Sequence, residues 1–304
     1  MLEGTVIGLR WLQYSGAVIL FGAPLFLLYS FRGGDGLNPG RARLTLVLAA
    51  LVVALGSLVA LVAQTAVMAG SLSEAIKPAS LSLMVSGTAL GMAMAVRAIA
   101  AFVGLVALVV LKPGRSLWGL TAAAGLIVVA SFAWTGHGAA TGGSGGLVHL
   151  AADVVHAVAA ALWLGALAAL TMLLLRRTAP DDIAIHRALH GFASVGTLAV
   201  ALLVLTGLVN SWFLVGPARI PEIGGGPYGQ LLIFKLVLFV LMLALAAGNR
   251  FRLTPRLGAV LADREDPRPA LRRLRHSVVA ETLVGAALLA VVAVMGTLPP
   301  PSAL

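Results

Sequence analysis

Long apolar runs separated by short polar segments set the plan of this sequence. The runs cover about 5–30, 44–68, 80–111, 117–135, 147–175, 188–215, 228–250 and 276–297. Each is about 20 residues or longer, the length an α-helix needs to cross the hydrocarbon core of a bilayer. The apolar residues are continuous rather than alternating, which excludes the strands of a membrane barrel. In hydrocarbon every backbone N–H and C=O must be bonded within the segment, and that leaves helix. The expected fold is all-α, a polytopic membrane protein of eight transmembrane helices. It reads as one eight-helix domain over residues 1–304, with no room for a large soluble domain. The first run lacks a basic start, exceeds signal-peptide length and is followed by Arg32, Arg41 and Arg43. It reads as a retained helix.

Charge then orients the bundle. Counting runs in order, segment 1–2 has Arg32, Arg41 and Arg43, and segment 3–4 has Lys112 and Arg115. Segment 5–6 has Arg176, Arg177 and Arg187. Segment 7–8 has Arg250, Arg252, Arg256, Arg264, Arg268, Arg272, Arg273 and Arg275. Together these are 16 of the 21 basic residues, whereas the alternate segments hold only Lys77 and Arg219. The positive-inside rule places the arginine-rich segments in the cytoplasm and both termini on the outer, periplasmic side of a bacterial cytoplasmic membrane. Trp118, Trp134, Trp212 and Tyr228 fall near run ends, where an aromatic belt belongs.

Composition agrees: 60% of residues are apolar and 11% charged, far less charge than a soluble chain carries. The net charge of +10 is read as topology and lipid-headgroup contact rather than nucleic-acid binding. With no cysteine, thiolate metal sites are excluded and a soft-metal site must use His or Met. No P-loop, G-x-S-x-G or H-E-x-x-H is present, so transport rather than catalysis is expected.

One stretch carries most of the polar chemistry: TGHGAATGGSGGLVHLAADVVHAVAAALWLG, from Thr135 to Gly165. As a helix from about Leu147, it places His149, Asp153 and His156 at i, i+4 and i+7, within a sector of about 60°. Two imidazoles and a carboxylate on one intramembrane face must pair or bind something. His137 precedes the glycine-rich loop, which could fold it back over the stripe. The set His137, His149, Asp153 and His156 suits a borderline or transition metal, with Asp153 a ligand or an acceptor that orients an imidazole.

Methionine suits Cu(I). Met68 ends the second run, and Met84, Met92 and Met94 follow along the third; Met84 and Met92 are expected to share a face, in the manner of a relay. Arg10, Arg97, Lys235 and Glu281 are intramembrane charges, expected to face the interior and pair. Glu281 is expected to pair with Arg250, and Arg10 and Lys235 with Asp153 or Glu3. Thr206 and Asn210, one turn apart, are expected to bond across helices. His186 and His190 are also one turn apart and, with His276, read as solvated residues at the arginine-rich end; an exit site is the alternative.

These residues resemble the CopD family of bacterial copper-resistance and copper-uptake membrane proteins. The matching pieces are GHG at 136–138, HLAADVVHAVAAALWLGAL at 149–167 and TGLVNSW at 206–212. PYGQLLIFK at 227–235, NRFRLTPRL at 249–257 and the segment from Glu281 to Pro300 complete them. The sequence reads as the stand-alone form, without a fused CopC-like domain. The resemblance implies copper as the cargo, His137, His149 and His156 as its ligands, and a periplasmic CopC-like carrier as a partner. Members often carry a histidine in the first span at about the position of Gln13, so this chain departs from the pattern there.

The expected function is copper transport across the cytoplasmic membrane, as import of Cu(I) from an outer His/Asp site through a Met-containing bundle. The methionines favour Cu(I); the His/Asp set also suits Cu(II) or Zn(II). Two alternatives stand beside it. One is a copper-binding docking or delivery protein for a periplasmic carrier or an oxidase. The other is a b-type haem electron-transfer protein, which needs facing histidines from two helices.

Overall fold

The computed structural model describes residues 2–30, 39–143, 145–175 and 182–303, and the side chains of Leu2, Glu3, Pro39, His137 and Ala140 fall outside what it describes. The predicted arginines Arg32, Arg176 and Arg177 likewise lie outside the described residues. The helices are α1 (Leu2–Ser30), α2 (Pro39–Ala69), α3 (Leu72–Ala75), α4 (Pro78–Gly87), α5 (Ala89–Val110) and α6 (Arg115–Ser131). They continue with α7 (Gly146–Leu175), α8 (Asp182–Leu214), α9 (Pro227–Gly248), α10 (Thr254–Ala262) and α11 (Arg268–Met295). No strand occurs among the described residues. Among the described residues eight stretches are long and apolar enough to cross a membrane: α1, α2, α5, α6, α7, α8, α11 and the continuous helix Pro227–Ala262, in which a π-helical turn, Asn249–Leu253, joins α9 to α10.

The third run departs from expectation. It is broken at Thr88, whose backbone is extended (φ −136°, ψ 139°) and whose Oγ1 accepts from Gly91 N–H at 2.9 Å. Threonine is a good N-cap, and it starts α5 afresh. A Cβ on Gly91 would overlap the Met84 carbonyl, so glycine permits the close approach of α4. At the arginine-rich end helices outrun the apolar windows. α8 begins at Asp182, α11 at Arg268, and α10 occupies much of what hydropathy reads as a loop. Hydropathy measures side chains; helix is set by the backbone, and Ala, Leu and Arg support it on either side of the membrane boundary.

α1 is the most enclosed helix, with 61% of its apolar window buried, against 17% for α8 and for Pro227–Ala262. It packs on α2, α6, α7, α8 and α11. With little hydrophobic drive between helices in lipid, such packing rests on close approach of small residues. At the α1–α7 crossing Gly22 and Gly165 face each other: a Cβ on Gly22 would lie 2.8 Å from Gly165 Cα, and one on Gly165 would lie 2.5 Å from Gly22 Cα. Gly125 of α6 meets α1 the same way: a Cβ there would lie 2.6 Å from the Phe21 backbone.

Gly165→Leu should therefore lower thermal stability in detergent by about 3 kcal/mol, the upper range for overpacking a tight contact. Gly119→Ala, on α6 with open space around it, should be neutral or stabilising. A melting-temperature comparison of the two variants checks this.

Candidate metal-handling cavity

The polar stripe of α7 is matched by one on α8. Asn210 Nδ2 donates to Asp153 Oδ1 at 2.7 Å, and Thr206 Oγ1 lies 2.9 Å from His156 Nδ1. The helices run antiparallel, so the 153/156 spacing on one meets the 210/206 spacing on the other. The expected bonding of Thr206 and Asn210 across helices is what the structure contains. Thr206 also donates to the Leu202 carbonyl at 2.6 Å. A hydroxyl has one proton; with it placed there, Thr206 accepts from His156 Nδ1–H. We assign His156 as that tautomer on this network, which leaves its lone pair on Nε2.

Asp153 and His156 line a cavity of about 270 Å³, with Tyr14, Asn210, Ser211, Tyr228 and Lys235 contributing its other polar side chains. Lys235 and Asp153 interact electrostatically, both lining this cavity. The second Asp153 oxygen, Oδ2, accepts from the backbone N–H of Gly138 at 3.1 Å. A Cβ at 138 would overlap that carboxylate, which explains glycine after His137. The 3-10 turn His137–Ala140 is thus folded back against α7, as expected. The His137 side chain itself lies outside the described residues.

His149 does not join Asp153 and His156 in the cavity lining. It is fully buried, with Nδ1 2.7 Å from Thr141 Oγ1 and its ring stacked on Phe213 at 4.7 Å. Among the described residues no three His, Asp or Glu side chains come close enough to hold one metal ion. The reason is geometric. A rise of 1.5 Å per residue spreads i to i+7 over about 10 Å, whereas metal–ligand bonds are about 2 Å. One stripe supplies adjacent pairs, and α8 adds an amide and a hydroxyl rather than further imidazoles.

The charges settle differently from expectation. Arg97, buried, finds no carboxylate among the described residues: Nε donates to Ser131 Oγ (2.9 Å), and Nη2 donates to Ser131 O and Thr135 Oγ1 (both 3.1 Å). Its guanidinium lies 3.6 Å from the Phe132 ring centroid, a cation–π contact strengthened by burial. Tyr14 packs edge-on against the other partner of that contact, Phe132, at 4.9 Å. Arg10 lies against Gly296 of the cavity lining rather than in an ion pair with Asp153, and the Glu3 side chain is outside the described residues. Gln13 is buried against Gly56 of α2, away from the cavity, and its Nε2 has no hydrogen-bond partner among the described residues.

The methionines also divide. The break at Thr88 removes the face expected for Met84 and Met92. Met84 and Met94 pack with Leu61 in a small buried cluster, whereas Met68 and Met92 are exposed on the bundle surface. Two methionines that hydropathy gave no reason to single out lie closer to the polar residues. Met295 is buried in the cavity lining, and Met242 is 1% exposed beside Gly285. Tyr228, expected in an aromatic belt, is buried and lines the cavity instead.

A second cavity, about 200 Å³, lies toward the arginine-rich end and is lined by Trp163, Asn249, Arg250 and Glu281 among others. Glu281 does not pair with Arg250. It accepts from Trp163 Nε1 (3.2 Å) and Asn249 Nδ2 (2.8 Å), while Arg250 donates to the Ala193 carbonyl and to Thr197 Oγ1. Between the two sets of lining residues, α7, α9 and α11 meet at Leu164, Met242 and Gly285; a Cβ on Gly285 would lie 2.5 Å from Leu164 Cδ2. His186 sits half-buried against Gly258 of α10, and His190 and His276 are exposed.

Comparison with known proteins places this architecture. Residues 1–147 match the profile of the copper resistance protein D-like N-terminal domain, and residues 186–295 match that of copper resistance protein D. Copper resistance protein D of Pseudomonas syringae pv. tomato is 36% identical, over 97% of this chain and 96% of its own length. Copper transport protein CutJ of Bacillus subtilis (strain 168) is 31% identical over 58% of this chain and 29% of its own length. Inner membrane protein YebZ of Escherichia coli (strain K12) is 28% identical over 61% of this chain and 60% of its own. No solved structure matches the chain. The eight apolar helices and these relatives make it a multi-pass protein of the inner membrane. Similar along nearly its whole length to one copper resistance protein D, and matched in both halves by profiles bearing that name, the chain belongs to the copper resistance protein D family.

Proposed function

We propose that this protein carries copper across the membrane through the cavity lined by Asp153 and His156. The observation that supports this best is the fixed imidazole. Thr206 holds Nδ1, which leaves Nε2 as the ligating atom of a ring that lines an intramembrane cavity. The same cavity holds a carboxylate and the Met295 thioether, a donor set that fits copper. In this reading His137 and His149, farther along toward the glycine-rich loop, receive the ion and pass it to Asp153 and His156. Met295 and then Met242 favour Cu(I) for the inward step.

The direction follows from charge. The arginine-rich segments face the cytoplasm and the glycine-rich loop faces the periplasm, so the ion enters beside His137 and His149, where a CopC-like carrier would deliver it. Both termini are periplasmic in this topology, and a reporter active only outside the cytoplasm should be active when fused at Leu304 and silent when inserted after Arg264. The reverse pattern would overturn the direction. The sequence holds no ATP-binding motif, so movement is passive or driven by another gradient; the sites must then bind weakly enough to release.

The test is Cu(I) entry into sealed proteoliposomes loaded with a fluorescent Cu(I) chelator. His149→Ala/His156→Ala should abolish entry, and uptake persisting in that variant would remove this site from the pathway. Thr206→Val, which keeps the shape but frees His156 Nδ1, should weaken copper affinity by about 10-fold, as loss of a partner that orients a ligand does. Copper bound without entry in wild type would favour the docking or delivery reading.

A further inference from the structure

The transport reading uses the first cavity; the second holds a carboxylate with no evident use. Glu281 is 1% exposed, in the middle of a membrane-spanning helix. Among the described residues both of its hydrogen bonds come from neutral groups, Trp163 Nε1–H on Oε1 and Asn249 Nδ2–H on Oε2. The elements packed on α11 are α1, α7, α9, α10 and the π-helical turn. Among the described residues, the only other ionisable side chain lining this cavity is Arg250, and its guanidinium turns to Ala193 and Thr197 of α8. His276, on α11 itself, is exposed, and His186 of α8 lies against α10 outside the lining.

A second observation points the same way. Asn249 is 8% exposed, and its Oδ1 is buried with no hydrogen-bond partner among the described residues. The π-helical turn places this side chain beside Glu281. The pair therefore offers a carboxylate and an amide oxygen, acceptors in excess of donors, in a cavity where bare negative charge is costly. What is missing is a positive charge small enough to fit.

We propose that Glu281 is a proton-exchange site. In the resting bundle the carboxyl carries its proton. When the proton leaves, the O–H bond of the carboxyl breaks and water in the second cavity takes the proton toward the arginine-rich end. The carboxylate that remains keeps its bonds from Trp163 and Asn249, and a monovalent cation arriving past Leu164, Met242 and Gly285 neutralises it. One positive charge replaces another, so the second cavity never holds an uncompensated carboxylate. Coupling to copper rests on the transport reading above; the proton site itself does not.

Infrared difference spectroscopy of the reconstituted full chain tests this at neutral pH. Wild type should show a protonated-carboxyl C=O band that shifts in D2O and is missing in Glu281→Gln. Asn249→Ser should shift the band without removing it, which reads the site in a second protein should the Gln variant fail to fold. Wild type and both variants showing the same carboxyl region would overturn the proposal. Cu(I) should bleach the band in wild type, and a pH dye should record about one proton released per copper entering. A band that Gln removes but copper leaves unchanged upholds the proton site and overturns its coupling.

Discussion

In hydrocarbon a polar side chain has no solvent to turn to, and that constraint orders the interior of this bundle. Asp153 takes Asn210 and the Gly138 amide, His156 takes Thr206, Arg97 takes Ser131 and Thr135, and Glu281 takes Trp163 and Asn249. Each partner comes from a different segment of chain. These bonds fix the register of α7 against α8 and of α11 against the turn after α9. Packing of small residues supplies the rest, with Gly22 on Gly165 holding α1 in the centre. The helices can slide only by leaving these groups unsatisfied, which costs more in lipid than in water.

The same constraint gives the two cavities their character. Neutral donors position both carboxyl groups, Asn210 and the Gly138 amide at Asp153, Trp163 and Asn249 at Glu281, so each loses conformational freedom. An amide donor positions a carboxyl group without bringing a formal charge of its own, as an arginine would. Arg97 shows the converse: its charge faces a ring and hydroxyls, a structural use that braces Phe132 at the cavity wall.

The arrangement of cavities matters as much as their lining. On α7 the first cavity reaches Ala161 and the second begins at Trp163; on α11 they reach Leu288 and Glu281. Between the two sets of lining residues Leu164 and Met242 meet at Gly285. Gly285 has no Cβ because Leu164 occupies that space.

Sequence alone determined the all-helical class, the eight crossings and the segregation of arginines, because membrane thickness and backbone hydrogen bonding leave one solution for continuous apolar runs. Periodicity also placed Asp153 and His156 on one face and Thr206 and Asn210 on another, since helical spacing is fixed whatever surrounds the helix. Partner choice was beyond it. That Glu281 meets Asn249 rather than Arg250 depends on a π-helical turn, which apolar periodicity does not register. That Met84 and Met92 part company depends on Thr88 capping a new helix. His149 leaves the cavity because Thr141 and Phe213 capture it, and Met295, Met242 and Tyr228 enter the account only through the helices that enclose them. Period and length are properties of one helix, whereas a site is made where several meet, and only the tertiary structure says which faces those are.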